Sequence, residues 1–231
     1  MKHISNARNC DLFDGSGQDS LGHLQQIDLP DADLVFYPSY FTKQESDAFF
    51  EELQSHTKWT QEQIRIYGKT IQVPRLTAWY GDDDTSYSYS GITMTAEPWT
   101  PTLREIKEKT EKTTDKVFNS VLMNLYRDGQ DSVSWHSDDE AELGRNPVIG
   151  SVSFGGDRNF QFKHRYSTGL RHEIRLSHGS FLLMKGPTQH YWSHQIPKTK
   201  KPCCPRINLT FRVIEASHQT GKGRVMDALS R

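Results

Sequence analysis

Cysteine is scarce in this sequence, with three residues at positions 10, 203 and 204 of 231. Three cysteines cannot form a disulfide framework, and two adjacent ones lack the spacing of a zinc pair, so we interpret all three as free thiols.

Long apolar runs are missing as well. No segment approaches the ~20 apolar residues that a membrane span requires, and the first residues contain no apolar segment of a signal peptide. We therefore expect no membrane contact and a cytoplasmic location, or a nuclear one if the source is eukaryotic.

The net charge is close to zero, at −1, but the two signs are unevenly distributed. Residues 1–60 contain 4 basic and 10 acidic side chains, whereas residues 157–231 contain 14 basic and 4 acidic ones. A basic half of this kind favours a polyanionic partner, with ordinary solvated surface charge as the alternative.

Apolar periodicity divides the chain into three parts. Residues 1–28 are rich in Gly, Ser, Asp and Gln and are predicted to be a poorly ordered tail, residues 29–215 to be one domain, and residues 216–231 to be a polar tail. The capping box Thr42-Lys43-Gln44-Glu45 predicts one helix, and Thr100-Pro101 predicts a second. From Val117 onward, short runs separated by turns predict many strands. The expected fold is therefore mainly β, a sandwich or barrel with the helices packed outside it.

The stretch WHSDDE, residues 135–140, raises the question of a metal site. In an extended segment His136 and Asp138 point to the same side, so one imidazole and one carboxylate converge. Such a pair is weak evidence alone, because a chain with this many histidines and aspartates contains about one by chance. A facial triad for Fe(II) needs a second histidine, and His194 is our choice because it lies shortly before the next motif. The other downstream candidates are His164, His172, His178, His190 and His218.

The next motif, RINLTFRV at residues 206–213, alternates polar and apolar side chains. Arg206, Asn208, Thr210 and Arg212 share one face of a predicted strand, while apolar residues fill the other. Two guanidinium groups on one face can grip two carboxylates, so a dicarboxylic acid would fit. The alternative is an edge strand whose polar face meets water.

Five motifs in this order resemble one known family. They are NLYRDGQDSVSWHSDDE, SVSFGG, HGSFLLM, QHYWSHQIP and PRINLTFR. Together they resemble the AlkB family of Fe(II)- and 2-oxoglutarate-dependent dioxygenases, and within it the branch of nucleic-acid demethylases, over roughly Tyr67 to Ile214. The resemblance implies a double-stranded β-helix, or jelly roll, with flanking N-terminal helices and a nucleotide-recognition lid at about residues 62–95.

The resemblance also implies roles for individual residues. Fe(II) would be bound by His136, Asp138 and His194. The cosubstrate 2-oxoglutarate would be held by Asn124, Tyr126, Arg206 and Arg212, with Thr210 on the same face. The lid would contact the nucleotide through Tyr67, Gly68, Lys69, Trp79, Tyr87, Ser88 and Tyr89. Asp139 and Glu140 would lie beside the extruded base, where a carboxylate complements the positive charge of a ring-methylated base.

The implied activity is oxidative dealkylation of N-alkylated bases in DNA or RNA, with DNA favoured and with 1-methyladenine and 3-methylcytosine as the expected lesions. The reaction would use Fe(II), O2 and 2-oxoglutarate and release succinate, CO2 and formaldehyde, and the protein is expected to act as a monomer. Three alternatives remain open: the same chemistry on RNA, protein or a small molecule; a non-catalytic nucleic-acid-binding jelly roll; and a zinc hydrolase with the same ligands. The basic C-terminal half favours nucleic acid, and a zinc hydrolase gives no reason for the paired arginines.

Overall fold

We describe a computed structural model of the chain at residues 23–66, 69–82, 86–89 and 92–215. Three α-helices and one 3-10 helix (Ala141–Leu143) lie in these ranges; the α-helices are α1 (Lys43–His56), α2 (Pro101–Thr114) and the short α3 (Thr188–Tyr191). None of them is long and apolar enough to cross a membrane. The strands of the described ranges are β1 (Gln25–Ile27), β2 (Asp33–Tyr37), β3 (Gln63–Ile66), β4 (Lys69–Gln72), β5 (Leu76–Gly81), β6 (Ser86–Tyr89), β7 (Ile92–Thr95), β8 (Glu97–Pro98), β9 (Ser120–Tyr126), β10 (Val133–His136), β11 (Ile149–Gly155), β12 (Arg158–His164), β13 (Arg171–Leu176), β14 (Ser180–Lys185), β15 (Trp192–Ile196) and β16 (Arg206–Arg212).

Two sheets form the body of the protein. Within the described ranges, the larger sheet has the strand order β1-β2-β14-β11-β16-β9-β5-β8, and the smaller sheet has the order β10-β15-β12-β13. Neighbours such as β2 and β14, or β9 and β16, are far apart in sequence and pair antiparallel. Long-range antiparallel pairing of this kind is typical of a double-sheet sandwich. The mainly β fold that the short runs predicted is therefore confirmed.

Both predicted helices are present, and their caps explain where they begin. The Thr42 hydroxyl accepts the N–H of Glu45 at 3.2 Å, and the Glu45 carboxylate accepts the N–H of Thr42 at 2.8 Å, which completes the capping box of α1. Thr100 caps α2 by accepting the N–H of Leu103 at 3.2 Å, and Pro101 takes the first helical position. Each cap satisfies backbone donors that would otherwise lack partners, and losing one costs about 1 kcal/mol.

Two apolar cores separate three layers. One core lies between the sheets and includes Phe36 of β2, Phe162 of β12 and Trp192 of β15. The other joins the helices to the opposite face of the larger sheet, with Phe50 of α1 and Leu103 of α2 packed against it. The layers are therefore helices, larger sheet and smaller sheet, and the space between the sheets is enclosed.

Strand β16 shows how alternation assigns side chains to these layers. Ile207, Leu209 and Phe211 are fully buried in the core on the helix side. Because successive side chains of a strand point to opposite faces, Arg206 and Arg212 are directed between the sheets. The strand is central in the larger sheet rather than at its edge, so the edge-strand alternative for this motif is excluded.

Two predictions drawn from composition need correction. Residues 25–27 form β1, which pairs with β2, although we predicted a tail up to residue 28. A three-residue strand with mostly exposed side chains has no apolar alternation that could reveal it. Cys203 is a free thiol as predicted, whereas Cys204 is disulfide-bonded, so the prediction is wrong for Cys204.

Candidate active site

The three predicted metal ligands converge where β10 ends against β15. His136 of β10 lies opposite His194 of β15, and the two ring centroids are 4.3 Å apart. Asp138 follows shortly after β10, and its Oδ2 atom lies 3.8 Å from Nε2 of His194. One possible ligand atom from each residue lies within 4.8 Å of the others. Two imidazoles and one carboxylate in this arrangement match the facial triad that suits non-haem Fe(II).

The protonation states of these residues suit metal binding. His136 Nδ1 donates to the Ser134 carbonyl oxygen at 2.8 Å, which leaves Nε2 with a lone pair for a metal. Burial, together with the neighbouring His136, lowers the pKa of His194 to about 3, so this ring is neutral at physiological pH. Burial acts to raise the pKa of Asp138, but the Arg212 guanidinium and the two imidazoles outweigh it and hold that pKa below its usual value.

Two neighbours orient Asp138, which is only 3% exposed. Arg212 Nη2 donates to its Oδ1 atom. The backbone N–H of Asp138 donates to Oε1 of Gln189, a fully buried side chain on α3, at 3.0 Å. The carboxylate is therefore fixed from β16 and its backbone from α3, as expected for a ligand whose orientation must be set before a metal binds.

Arg206 is a buried cation without an acidic partner. Its side chain is 1% exposed, and Nη2 donates to Ser153 Oγ at 2.9 Å. Its Nε and Nη1 atoms are buried without a hydrogen-bond partner, and it forms no ion pair with any acidic residue in the described part of the chain. Burial lowers the pKa of Arg206 to about 10, so the group stays charged at neutral pH. A buried guanidinium with two donors unsatisfied by the described residues fits the carboxylate of a bound ligand.

Strand β9 adds Asn124 and Tyr126 to the same space. In the paired strands, Tyr126 lies opposite Arg206 and Asn124 lies opposite Asn208. The Arg206 guanidinium carbon is 5.2 Å from the centroid of the Tyr126 ring. One cavity between the sheets is lined by Asn124, Tyr126, Arg206, Thr210 and Arg212, together with the three candidate metal ligands. All five predicted cosubstrate residues thus lie around the triad.

Two residues of this site escaped prediction. Arg75 lines the cavity and donates through Nε to Asn124 Oδ1 at 2.6 Å. Gln189 lies beside the triad on a helix of one turn. Neither residue belongs to a spaced motif, and both reach the site only through tertiary packing. A buried glutamine within QHYWSHQIP is the one local signal, since an unpaired buried amide is costly.

The two acidic residues after Asp138 have different surroundings. The Oδ2 atom of Asp139 accepts from Arg165 Nη1 at 2.8 Å, and both side chains are partly exposed. Glu140, in contrast, has a buried Oε2 atom without a hydrogen-bond partner among the described residues. The carboxylate oxygen without a described partner therefore belongs to Glu140, and Asp139 is held by an ion pair.

The predicted lid residues are divided among different parts of the structure. Trp79 lies in β5 and is 3% exposed in the core between the sheets, so it is not an exposed lid residue. Tyr67 and Gly68 lie outside the described residues. Lys69 begins β4 of the hairpin β3–β4, and Tyr87, Ser88 and Tyr89 lie in β6 of the hairpin β6–β7. The side chains of these four hairpin residues also lie outside what the structure describes, so their contact with a nucleotide stays a prediction.

Comparison with known proteins identifies the family. The model of the 2OG-Fe(II) oxygenase superfamily matches residues 33–212. The chain is 40% identical over 188 residues to bovine DNA oxidative demethylase ALKBH2, covering 77% of this chain and 68% of that protein. The chain belongs to the AlkB family of 2OG-Fe(II) oxygenases.

Other relatives of this AlkB-family chain agree. It is 44% identical over 190 residues to human alpha-ketoglutarate-dependent dioxygenase alkB homolog 3, covering 78% of this chain and 66% of that protein. It is 35% identical over 209 residues to DNA oxidative demethylase ALKBH2 of Arabidopsis thaliana, covering 79% of this chain and 67% of that protein. The chain thus spans about two thirds of the length of these relatives.

A solved structure supports the fold. The structure of OsALKBH1 matches with a TM-score of 0.58 at 13% identity, covering 83% of this chain and 100% of that chain. The predicted jelly roll is therefore confirmed.

Membership also settles the reaction class and the cofactor. The AlkB-family chain is a dioxygenase that uses Fe(II), 2-oxoglutarate and O2, as predicted. The residues present fit these groups on two independent observations. The triad offers two imidazoles and one carboxylate, which suit Fe(II). Arg206 offers a buried cation with donors that no described residue satisfies, which suits a dicarboxylic acid.

Proposed function

We propose that this AlkB-family enzyme oxidatively removes N-linked alkyl groups from the bases of nucleic acid, with 1-methyladenine and 3-methylcytosine in DNA as its expected substrates. The observation that carries the proposal is that one cavity contains both the triad and Arg206, a buried cation without an ion-pair partner among the described residues. The names of the relatives support the substrate class, since the bovine relative is named a DNA oxidative demethylase. The basic C-terminal part of the chain also favours a polyanionic substrate.

In this proposal His136, Asp138 and His194 hold Fe(II) on one side of the cavity. When bound, Fe(II) would activate O2, the oxidant, and 2-oxoglutarate, as it is converted to succinate and CO2, would supply two of the four electrons that O2 accepts, the N-alkyl group supplying the other two. The protein residues have a positioning role. Ser134 keeps Nε2 of His136 available, and Gln189 fixes the backbone of Asp138.

Residues of β9 and β16 would hold 2-oxoglutarate. Arg212 already contacts the metal-side carboxylate Asp138, so it lies at the metal end of the cavity. Arg206 is six residues away on the same strand face, which places it at the opposite end and matches the distal carboxylate of the cosubstrate. Asn124 and Tyr126 complete the wall from β9.

The alkylated base would enter from the side of Asp139 and Glu140. The cavity is enclosed between two sheets, so we infer that the base is extruded from its strand before it reacts. A base methylated on a ring nitrogen is cationic, and Glu140, the residue after Asp139, has a carboxylate oxygen without a hydrogen-bond partner among the described residues. Asp139 would contribute to recognition only after its ion pair with Arg165 is exchanged for the base.

The decisive experiment is turnover of methylated oligonucleotides by protein loaded anaerobically with Fe(II). Single-stranded and duplex DNA and RNA, each with one 1-methyladenine or one 3-methylcytosine, would be incubated with 2-oxoglutarate and O2. We expect formaldehyde and succinate in equal amounts, together with the unmodified base. Succinate without formaldehyde on every oligonucleotide would contradict the nucleic-acid proposal while leaving the oxygenase chemistry intact.

A matched pair of histidine variants tests the ligand assignment. His194→Ala removes one of three protein ligands, so we expect loss of turnover and of stoichiometric iron. His190→Ala, four residues earlier, removes a side chain that contacts Asn146 rather than the triad, and should keep both. The reverse result would show that His194 is not the distal ligand.

A further inference from the structure

The described part of the chain exposes two large aromatic side chains, and they contact each other. Tyr166, in the turn between β12 and β13, is 72% exposed, and Tyr191, at the end of α3, is 36% exposed. Their ring centroids are 5.8 Å apart with an angle of 76° between the planes. Neither phenol hydroxyl makes a hydrogen bond to a described residue, so both rings are presented to solvent.

A buried histidine holds this pair in place. The Nδ1 atom of His164 accepts the backbone N–H groups of Tyr166 at 3.2 Å and Ser167 at 2.9 Å, which fixes the turn. The His164 ring also packs against Tyr166, Tyr191 and Trp192 at centroid distances of 6.2, 5.9 and 5.2 Å. These contacts restrict the conformations of both tyrosines, so little conformational entropy would be lost if they bound a flat ligand.

The pair is connected through Arg165 to the residue that follows the candidate metal ligand Asp138. Arg165, between His164 and Tyr166, donates its backbone N–H to the carbonyl oxygen of Tyr191 at 2.7 Å. Its side chain donates to Asp139 at 2.8 Å, and Asp139 directly follows the candidate metal ligand Asp138. One ion pair thus connects the tyrosines to the residue where the alkylated base would enter.

We propose that Tyr166 and Tyr191 form a stacking platform for an unpaired base next to the alkylated base on the same strand. The inference rests on the proposed function and adds a binding site for the neighbouring nucleotide. Exposed aromatic faces accept any base, and stacking of this kind is a common way to bind single strands without sequence preference. The hairpin from Arg158 to Leu176 also carries five Lys or Arg residues and one acidic residue, so its charge suits a polyanion.

The test compares two substrates that differ only in the neighbouring nucleotides. One is the mononucleotide of 1-methyladenine, and the other is a single-stranded DNA nonamer with 1-methyladenine at its centre. We expect Tyr166→Ala and Tyr191→Ala each to raise the KM for the nonamer by about tenfold, while kcat and the KM for the mononucleotide stay within about twofold of wild type. Tyr166→Phe and Tyr191→Phe keep the ring and should keep the wild-type KM for both substrates. Val117→Ala, at a 74% exposed position away from the site, is the surface control.

A fluorescent base provides a direct readout of stacking. Nonamers would carry 2-aminopurine immediately 5′ or immediately 3′ of the 1-methyladenine, and its fluorescence is quenched when it stacks. We expect wild type and the Phe variants to quench one of the two probes on binding, and both Ala variants to lose that quenching.

Three outcomes would overturn the platform. The Ala variants could bind and process the nonamer as wild type does, the Phe variants could lose as much as the Ala variants, or the mononucleotide could suffer as much as the nonamer. If wild type processes neither substrate, the proposed function fails instead, so the two failures are distinguishable.

Discussion

Removing the guanidinium of Arg206 should weaken binding of the distal carboxylate of 2-oxoglutarate and leave the contacts of its metal-side end unchanged. The group is 1% exposed, and its Nε and Nη1 atoms have no hydrogen-bond acceptor among the residues that the structure describes. If they hold the distal carboxylate, Arg206→Ala loses two hydrogen bonds to a charged group. Each contributes about 1.5–3 kcal/mol, and part of that is recovered by water in the enlarged cavity. We therefore expect 2-oxoglutarate to bind weaker by about 3 kcal/mol, or roughly 100-fold in Kd.

The assay is a thermodynamic cycle with a cosubstrate that lacks the distal carboxylate. Kd values for 2-oxoglutarate and 2-oxobutanoate would be measured anaerobically by calorimetry on Fe(II)-loaded protein. Wild type should prefer 2-oxoglutarate by about 100-fold, whereas Arg206→Ala should bind the two acids with nearly equal affinity. Arg206→Lys keeps a charge but loses the planar fork, so it should fall between them. Arg175→Ala removes an exposed guanidinium that pairs with Asp157 and should match wild type.

Two results would refute this reasoning. If Arg206→Ala bound 2-oxoglutarate normally but lost oligonucleotide affinity, Arg206 would contact the phosphate backbone. If both acids lost affinity by the same factor, the variant would have altered the metal end of the cavity rather than one carboxylate contact. Thermal unfolding of each variant identifies a third case, in which the fold itself is damaged.

Three further predictions concern recognition and stability. Asp139→Ala should keep its iron and 2-oxoglutarate binding but should slow the oxidation of cationic 1-methyladenine more than that of neutral ethenoadenine. Arg165→Ala frees the Asp139 carboxylate, so it should speed the oxidation of 1-methyladenine relative to that of ethenoadenine. If either variant changed the rates for both lesions by the same factor, a charge effect would be contradicted. Gly179→Ala should lower the free energy of unfolding by about 2–4 kcal/mol, because a φ of +75° is strained for alanine and an added Cβ would meet α1. Gly169→Ala is the control, because Gly169 has a φ of +86° but open space around it, and this variant should lose only about 1 kcal/mol. Thermal melts of both variants would measure the difference. Burial lowers the pKa of His178, so the unfolded chain binds a proton at this residue more readily than the folded protein does. The contribution of His178 to the free energy of unfolding is therefore fully present above pH 6.5 and declines as the pH falls below that value. Chemical denaturation should show a smaller decrease of the free energy of unfolding on acidification in His178→Asn than in wild type.

Local patterns predicted those parts of the fold that depend on neighbouring residues alone. The capping box at Thr42 and the proline after Thr100 each specify a helix start through contacts within four residues. The alternation in β16 specifies two faces, because the period of a strand is two. Its polar face was assigned to the active site because it carries two arginines and follows the candidate triad directly in the sequence.

The choice among the candidate histidines shows what local sequence patterns cannot predict. Order along the chain favoured His194, and the structure explains the outcome, since β15 pairs with β10. Three alternatives are bonded elsewhere: His164 contacts Asp31, His178 contacts Asp47, and His190 contacts Asn146. None of these contacts has a signature in the sequence, because each joins residues more than 40 positions apart.

Strand register explains why the ion pair between Asp139 and Arg165 could not be predicted from neighbouring residues. The sequence places its carboxylate one residue beyond Asp138 and so away from the metal, but it does not say what lies on that side. Arg165 follows the end of β12, whose register against β15 places Phe162 opposite His194. A shift of β12 by one residue would turn its side chains to the other face and remove the cation from Asp139. The charge that a substrate base meets at this site therefore depends on pairing between β12 and β15, and substitutions that alter that pairing should change lesion preference without touching an active-site residue.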